Sequence, residues 1–135
     1  MITLGQLHNY IDRAYLHGGR DVGCCKKIAA DLLASDREVY TYGDLLQSAN
    51  IDSAGYYKIE DIQYAVNVLK ADHVGLLHET YRYIDDDVIY DLSLEELQVA
   101  MEDGCLDLEL RGYPDRDFKS KVYVMFSADR AAVSL

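Results

Sequence analysis

The stretch YRYIDDDVIYDLSLEEL at 81–97 brings together the carboxylates Asp85, Asp86, Asp87, Asp91, Glu95 and Glu96. Carboxylates this dense can hold a calcium ion, act as an acid–base pair, or set up a field that draws a cationic partner. The three consecutive aspartates lack the alternate spacing and trailing glutamate of a calcium loop. Carboxylates are so plentiful that no acid–base pair is singled out. His73 and His78 lie five apart and His8 and His17 nine apart, and neither spacing is that of a metal-binding pair on a helix. Cys24, Cys25 and Cys105 are odd in number, with two adjacent, which suits neither a disulfide framework nor a zinc site. Reduced, partly buried thiols are expected. A thiol activated at a helix start would need a basic partner, and none is identifiable beside Cys24-Cys25. There is no glycine-rich phosphate loop. We therefore expect no catalytic residue, no metal and no cofactor, and a chain that is not an enzyme.

What remains for the carboxylates is their field. The net charge is −11, and it is unevenly spread. Residues 1–39 and 104–135 each hold five acidic and five basic groups. Residues 40–72 carry −3 and residues 73–103 carry −8, with Arg82 the one basic group in the latter. A block of one sign favours a partner of the other. Tyrosine is the second unusual feature: twelve Tyr against two Phe and no Trp. Tyr joins apolar area to a polar tip and is enriched at interfaces, and Tyr56, Tyr57, Tyr64, Tyr81, Tyr83 and Tyr90 lie on or near the acidic elements. The solvated alternative is that the acids serve only as turn formers and helix-start charges, and the tyrosines as core.

The elements that must position these groups follow from periodicity. Thr3 with Gln6 fits a capping box, and Leu4, Leu7, Ile11, Ala14 and Tyr15 recur at helical spacing until His17-Gly18-Gly19. A second helix opens near Asp21 and runs through Cys25, Ile28 and Leu32, followed by a brief strand in 37–42. Thr41 with Asp44 starts a third helix. In 58–73, Ile59, Ile62, Val66 and Leu69 mark the face of a fourth. Strands at 75–84 and 88–92 flank the aspartates, and Ser93 with Glu96 caps a helix ending at Gly104. CLDLELR (105–111) alternates and turns into FKSKVYVMF (118–126), which reads as a second hairpin, with 127–135 a fraying end.

A chain of 135 residues is most simply one domain. No apolar run approaches the ~20 residues that span a bilayer, and MITLGQLHNYIDRAY is not a signal peptide. The expectation is a soluble, cytoplasmic protein without membrane contact.

In this order, residues 24–92 resemble the winged helix-turn-helix superfamily. The fold class expected is α+β: a winged-helix-like core at 24–92, an extra N-terminal helix in 1–23, a helix and second hairpin at 93–126, and a tail at 127–135. The resemblance makes 58–71 the recognition-helix equivalent and 75–92 the wing. Winged-helix proteins commonly bind DNA, and some bind proteins; the fold alone does not choose. DNA affinity comes mostly from Lys and Arg on phosphates. With the Ile62 side of 58–71 buried, a helical wheel leaves Glu60, Asp61, Gln63, Tyr64, Asn67 and Val68 outward, and the wing offers Arg82 against five acids. At 4 Å each charge pair is worth ~1 kcal/mol even in bulk water, so this face repels a polyanion. The expected function is thus a non-enzymatic protein-binding module of inhibitor, antitoxin or immunity type. Its partner is a basic protein that meets Asp85, Asp86, Asp87, Asp91, Glu95, Glu96, Tyr81 and Tyr83. The alternative is a dimeric DNA-binding winged-helix regulator, disfavoured as a nucleic-acid binder by its acidity. It would use Lys26, Lys27, Arg37, Arg111, Arg116, Lys119 and Lys121.

Overall fold

Thr3 opens the first helix by the reciprocal bonds its spacing to Gln6 predicts. The Gln6 N–H donates to Thr3 Oγ1 at 3.1 Å and the Thr3 N–H to Gln6 Oε1 at 2.9 Å. In this computed structural model, which describes residues 1–15, 20–51, 55–108 and 112–134, the chain is an α+β fold. Strand β1 (Ile2–Thr3) leads into α1 (Leu4–Ala14), α2 (Arg20–Ala34), β2 (Val39–Tyr40), α3 (Tyr42–Ala49) and α4 (Ile59–Leu69). The expected helix end at His17-Gly18-Gly19 lies outside the described residues. Next come β3 (Leu77–Asp85), β4 (Val88–Leu92), α5 (Leu94–Asp103), a 3-10 turn (Phe118–Lys121), β5 (Val122–Ala128), a second 3-10 turn (Arg130–Ala132) and β6 (Val133–Ser134). Up to α5, helices and strands follow the expected order.

The chain packs as two compact units, Met1–His78 with Phe126–Leu135, and Glu79–Met125. The boundaries therefore cut through the 24–92 segment, and each unit has its own core.

In the first unit, Leu7 and Ile11 of α1, Ile28 and Leu32 of α2, Leu45 of α3, and Ile62, Val66 and Leu69 of α4 are all buried together. Thr41 and Asp44 cap α3 reciprocally. The Asp44 carboxyl is held below the usual range by the Thr41 N–H and, more weakly, by Arg37. On α4 the wheel misplaces Asp61. It sits at the third helical position, where its carboxylate reaches back to accept the Lys58 N–H at 2.8 Å, and it is only 2% exposed. Capping overrides the wheel here, because an orphan helix-start donor is an acceptor's strongest local partner. Glu60, Gln63, Tyr64 and Asn67 do face outward, together with Ile59, which was expected inside.

The C-terminal segment is not a fraying end. Ser134 pairs with Thr3 and Val133 with Ile2, in parallel, and Val133 is buried. Arg130 Nε donates to the Leu32 carbonyl at 2.7 Å, and its Nη2 donates to both the Arg37 carbonyl and the Tyr40 hydroxyl. The sequence of 127–135 hid this, because its anchors are long-range backbone partners that no local pattern announces. β2 pairs antiparallel with the end of β5, Val39 with Ser127 and Tyr40 with Phe126.

In the second unit the strand order is β5-β3-β4. The β3–β4 hairpin is the one expected, closed by Asp86-Asp87, with Asp85 already paired to Val88. Asp86 takes a positive φ of 51°, a conformation that aspartate tolerates better than most residues. Among the described residues the second hairpin does not form. Among the described residues of 105–111 there is one bridge, Leu106 with Asp115, while Glu109, Leu110 and Arg111 lie outside the described residues. Lys119 and Lys121 sit in a 3-10 turn, and the strand begins only at Val122. The alternation was real as burial, since Leu106 and Leu108 are buried and Asp107 exposed. The returning strand, however, uses its edges on β2 and β3 rather than on 105–111.

Candidate functional site

The hairpin register sorts the expected site residues by face. Tyr81, Tyr83, Asp85, Val88, Tyr90 and Leu92 share one side, and Arg82, Ile84, Ile89 and Asp91 the other. Tyr83 is fully buried and so meets no partner. Its hydroxyl donates to Asp115 Oδ2 at 2.5 Å, and Lys121 Nζ donates to the same carboxylate oxygen at 2.9 Å. Asp85 joins this cluster, 3.3 Å from the Tyr83 hydroxyl and 3.4 Å from Lys121 Nζ. A tyrosine that deep is kept because its hydroxyl is satisfied. Tyr83 is therefore an interior strut of the unit, a correction to its expected place on the docking face, whereas the Asp85 side chain beside it is part-buried and still 23% exposed. Tyr81 is half-buried and donates to Glu79 at 2.6 Å. Asp91 is exposed but paired across the strands with Arg82 at 2.8 Å. Asp86 and Asp87 are exposed at the turn.

Glu95 and Glu96 enter a different arrangement. Ser93 and Glu96 cap α5 reciprocally, and Tyr90 donates to Glu96 Oε2 at 2.8 Å. The Ser93 N–H first, then the Tyr90 hydroxyl, hold the Glu96 carboxyl below its ordinary range, so it stays charged. At the other end Gly104, in the left-handed region at φ 74°, turns the chain back. The returning residues 105–108 then run beside α5. Between them lies a groove of about 390 Å³ with Val99, Ala100, Leu106 and Leu108 on its floor and Glu95, Glu96, Asp103 and Asp107 around it. Val99 is 55% exposed, and Leu94 and Met101 on the same helix are exposed as well. The unit as a whole holds thirteen acidic and five basic residues, a net −8 of the chain's −11.

Asp103, Asp107 and the apolar floor were missed from sequence. The acids were visible, but the leucines at 106 and 108 read as one face of a strand. Only the turn at Gly104 folds them against α5.

Among the described residues, three of the seven cations proposed for DNA are held in ion pairs. Lys26 pairs with Asp12 at 2.7 Å, Arg37 with Asp44 at 2.8 Å while its guanidinium lies over the Tyr40 ring, and Lys121 with Asp115. Lys26, Lys27 and Arg37 belong to the first unit, Arg116, Lys119 and Lys121 to the second, and Arg111 lies outside the described residues. Among the described residues no three His, Cys, Asp or Glu side chains are placed to hold a metal ion, and no helix is long and apolar enough to cross a membrane.

Comparison with protein-family models, with curated proteins and with solved structures finds no match to this chain.

Proposed function

We propose that the protein is a non-enzymatic, cytoplasmic binding module whose acidic groove along α5 docks a basic protein partner, as an inhibitor, antitoxin or immunity protein would. The observation that carries this is the pairing of carboxylates with an apolar floor in one groove. A lysine or arginine side chain has the matching form: its stem lies along apolar surface while its head keeps ionic partners. The net −8 of the unit would speed the approach of a cationic protein, and the apolar floor would hold it once docked. In a winged-helix frame the β3–β4 wing would then be a protein-facing edge, with Asp86 and Asp87 at its tip.

The test uses a fluorescent peptide alternating arginine and leucine, a second alternating arginine and serine, and a labelled random-sequence DNA duplex, each titrated at about 50 mM salt. The reading expects the arginine–leucine peptide to bind best and to weaken as salt rises. The triple variant Glu95→Lys, Asp103→Lys, Asp107→Lys, all at exposed positions, should slow its association about tenfold or more while the circular dichroism spectrum is unchanged. Equal rates for variant and wild type, or micromolar binding of the duplex in place of the peptide, would overturn it.

A further inference from the structure

The first unit holds a pocket of the opposite character. About 320 Å³ in volume, it is lined by Ile2, Gln6, Asn9, Tyr10, Arg13, His73 and Val74. The groove at α5 is rimmed by four carboxylates, and a third pocket between α2 and α3 contains Asp31 and Asp44. Among the described residues, the pocket at Arg13 has no carboxylate in its lining, in a chain of net charge −11. The nearest acids in sequence do not supply one. Asp12 is taken by Lys26, and Asp72, although next to His73 in the chain, is exposed and does not line the pocket.

Its polar groups are mostly donors. Arg13 offers five N–H groups in a planar fork. Gln6 uses its carbonyl oxygen in the α1 capping box and so has only its NH₂ left to offer. His73 meets the Tyr10 ring edge-on at 4.2 Å, which fixes the two rings against each other. Ile2 and the buried Val74 supply apolar wall. An arginine in the last turn of α1 suits the helix dipole by itself. That alone does not explain why, among the described residues, neither Arg13 nor His73 has an ion-pair partner. The general negative charge of the chain is no obstacle, because exposed charges beyond ~8–10 Å are largely screened at physiological salt.

We propose that this pocket binds a small organic anion: one carboxylate on a compact apolar or aromatic body. Arg13 takes the carboxylate in a two-pronged pair, His73 and the Asn9 and Gln6 amides complete its hydrogen bonds, and the body lies against Ile2, Tyr10 and Val74. The volume is at the low end of the ~300–1,000 Å³ of small-molecule sites, which suits a single-ring acid and not a nucleotide. This site is independent of the acidic groove, and the two stand or fall separately.

The probe is sodium benzoate, with benzamide as its uncharged isostere, followed by amide NMR on the whole chain. Benzoate at millimolar concentration should give saturable shifts at Asn9, Tyr10, Arg13 and Val74, and benzamide should not. Arg13→Gln should weaken benzoate by about tenfold or more, and His73→Gln by less, each with the remaining spectrum unchanged. If Arg13→Gln disturbs the spectrum broadly, His73→Gln decides the matter. Equal shifts from benzamide, shifts reproduced by sodium chloride at matched ionic strength, no saturation, or full benzoate affinity in either variant would overturn the proposal.

Discussion

Replacing Asp115 with asparagine tests the reasoning about the interior of the second unit. Burial alone would raise the Asp115 carboxyl, but the Tyr83 hydroxyl, Lys121 and the Asp117 N–H outweigh it and hold the group at about 2. The gap from the ordinary 3.8, at ~1.4 kcal/mol for each pH unit, is worth about 2 kcal/mol of folding stability. Because the folded value is the lower one, this contribution is complete above about pH 5 and is lost as pH falls through 4 toward 2. About half of it is gone near pH 3. Asp115→Asn removes it at every pH and takes from Lys121 its nearer carboxylate, with Asp85 farther off at 3.4 Å, so the expected loss at pH 7 is about 2–3 kcal/mol. The assay is urea unfolding at pH 7 and near pH 3, with amide exchange at Tyr83 and Leu106 reporting this unit separately. The gap between wild type and variant should shrink by about 1 kcal/mol on acidification. A loss below about 0.5 kcal/mol at pH 7, within the range of neutral surface changes, or a gap that stays constant with pH, would refute the account.

Two further outcomes follow from the first unit. Cys24 and Cys25 are fully buried, and burial first of all pushes the Cys25 thiol up to about 12. A thiol reagent near pH 8 should therefore modify half-buried Cys105 in the folded protein and reach the other two only after denaturant is added. Equal labelling rates for all three would contradict this. Arg130→Ala should destabilise the first unit by about 1–3 kcal/mol, since the Leu32 and Arg37 carbonyls and the Tyr40 hydroxyl lose their donor together. An unchanged urea midpoint would show that water replaces the guanidinium at no cost.

What was legible in the sequence is what local chemistry determines. The helix caps at Thr3, Thr41 and Ser93 are four-residue patterns, and all three form as expected. The hairpin at 77–92 could be read because β-branched and aromatic residues flank a turn of aspartates. Asp61 apart, whose partner is only three residues away, the failures share one cause, a distant partner. Asp61 was placed outward because a wheel does not register the backbone N–H it accepts. Tyr83 resembled Tyr81 until Asp115, thirty-two positions away, claimed its hydroxyl. Of the strand expected at 105–111, the described residues have the right alternation but form one bridge, from Leu106 to Asp115. For the candidate site, Glu95 and Glu96 were visible as charge, whereas the floor that turns charge into a groove depends on the reversal at Gly104.

The way the chain runs through its two units has a consequence for synthesis. The second unit is one continuous stretch, while the first begins at Met1 and is finished only by the segment after Met125. Phe126 and Val133 lie in the first unit's core, and Arg130 ties the end of α2 to the segment at Arg37 and Tyr40. On a ribosome adding roughly 5–20 residues each second, residues 79–125 exist in full before the first unit has its last strands. Of the two units, the one begun earlier is therefore the one that waits. Its helices must remain incompletely sealed until β6 is released to pair with β1, and a nascent chain stalled before Phe126 would hold a complete acidic unit beside an open apolar core.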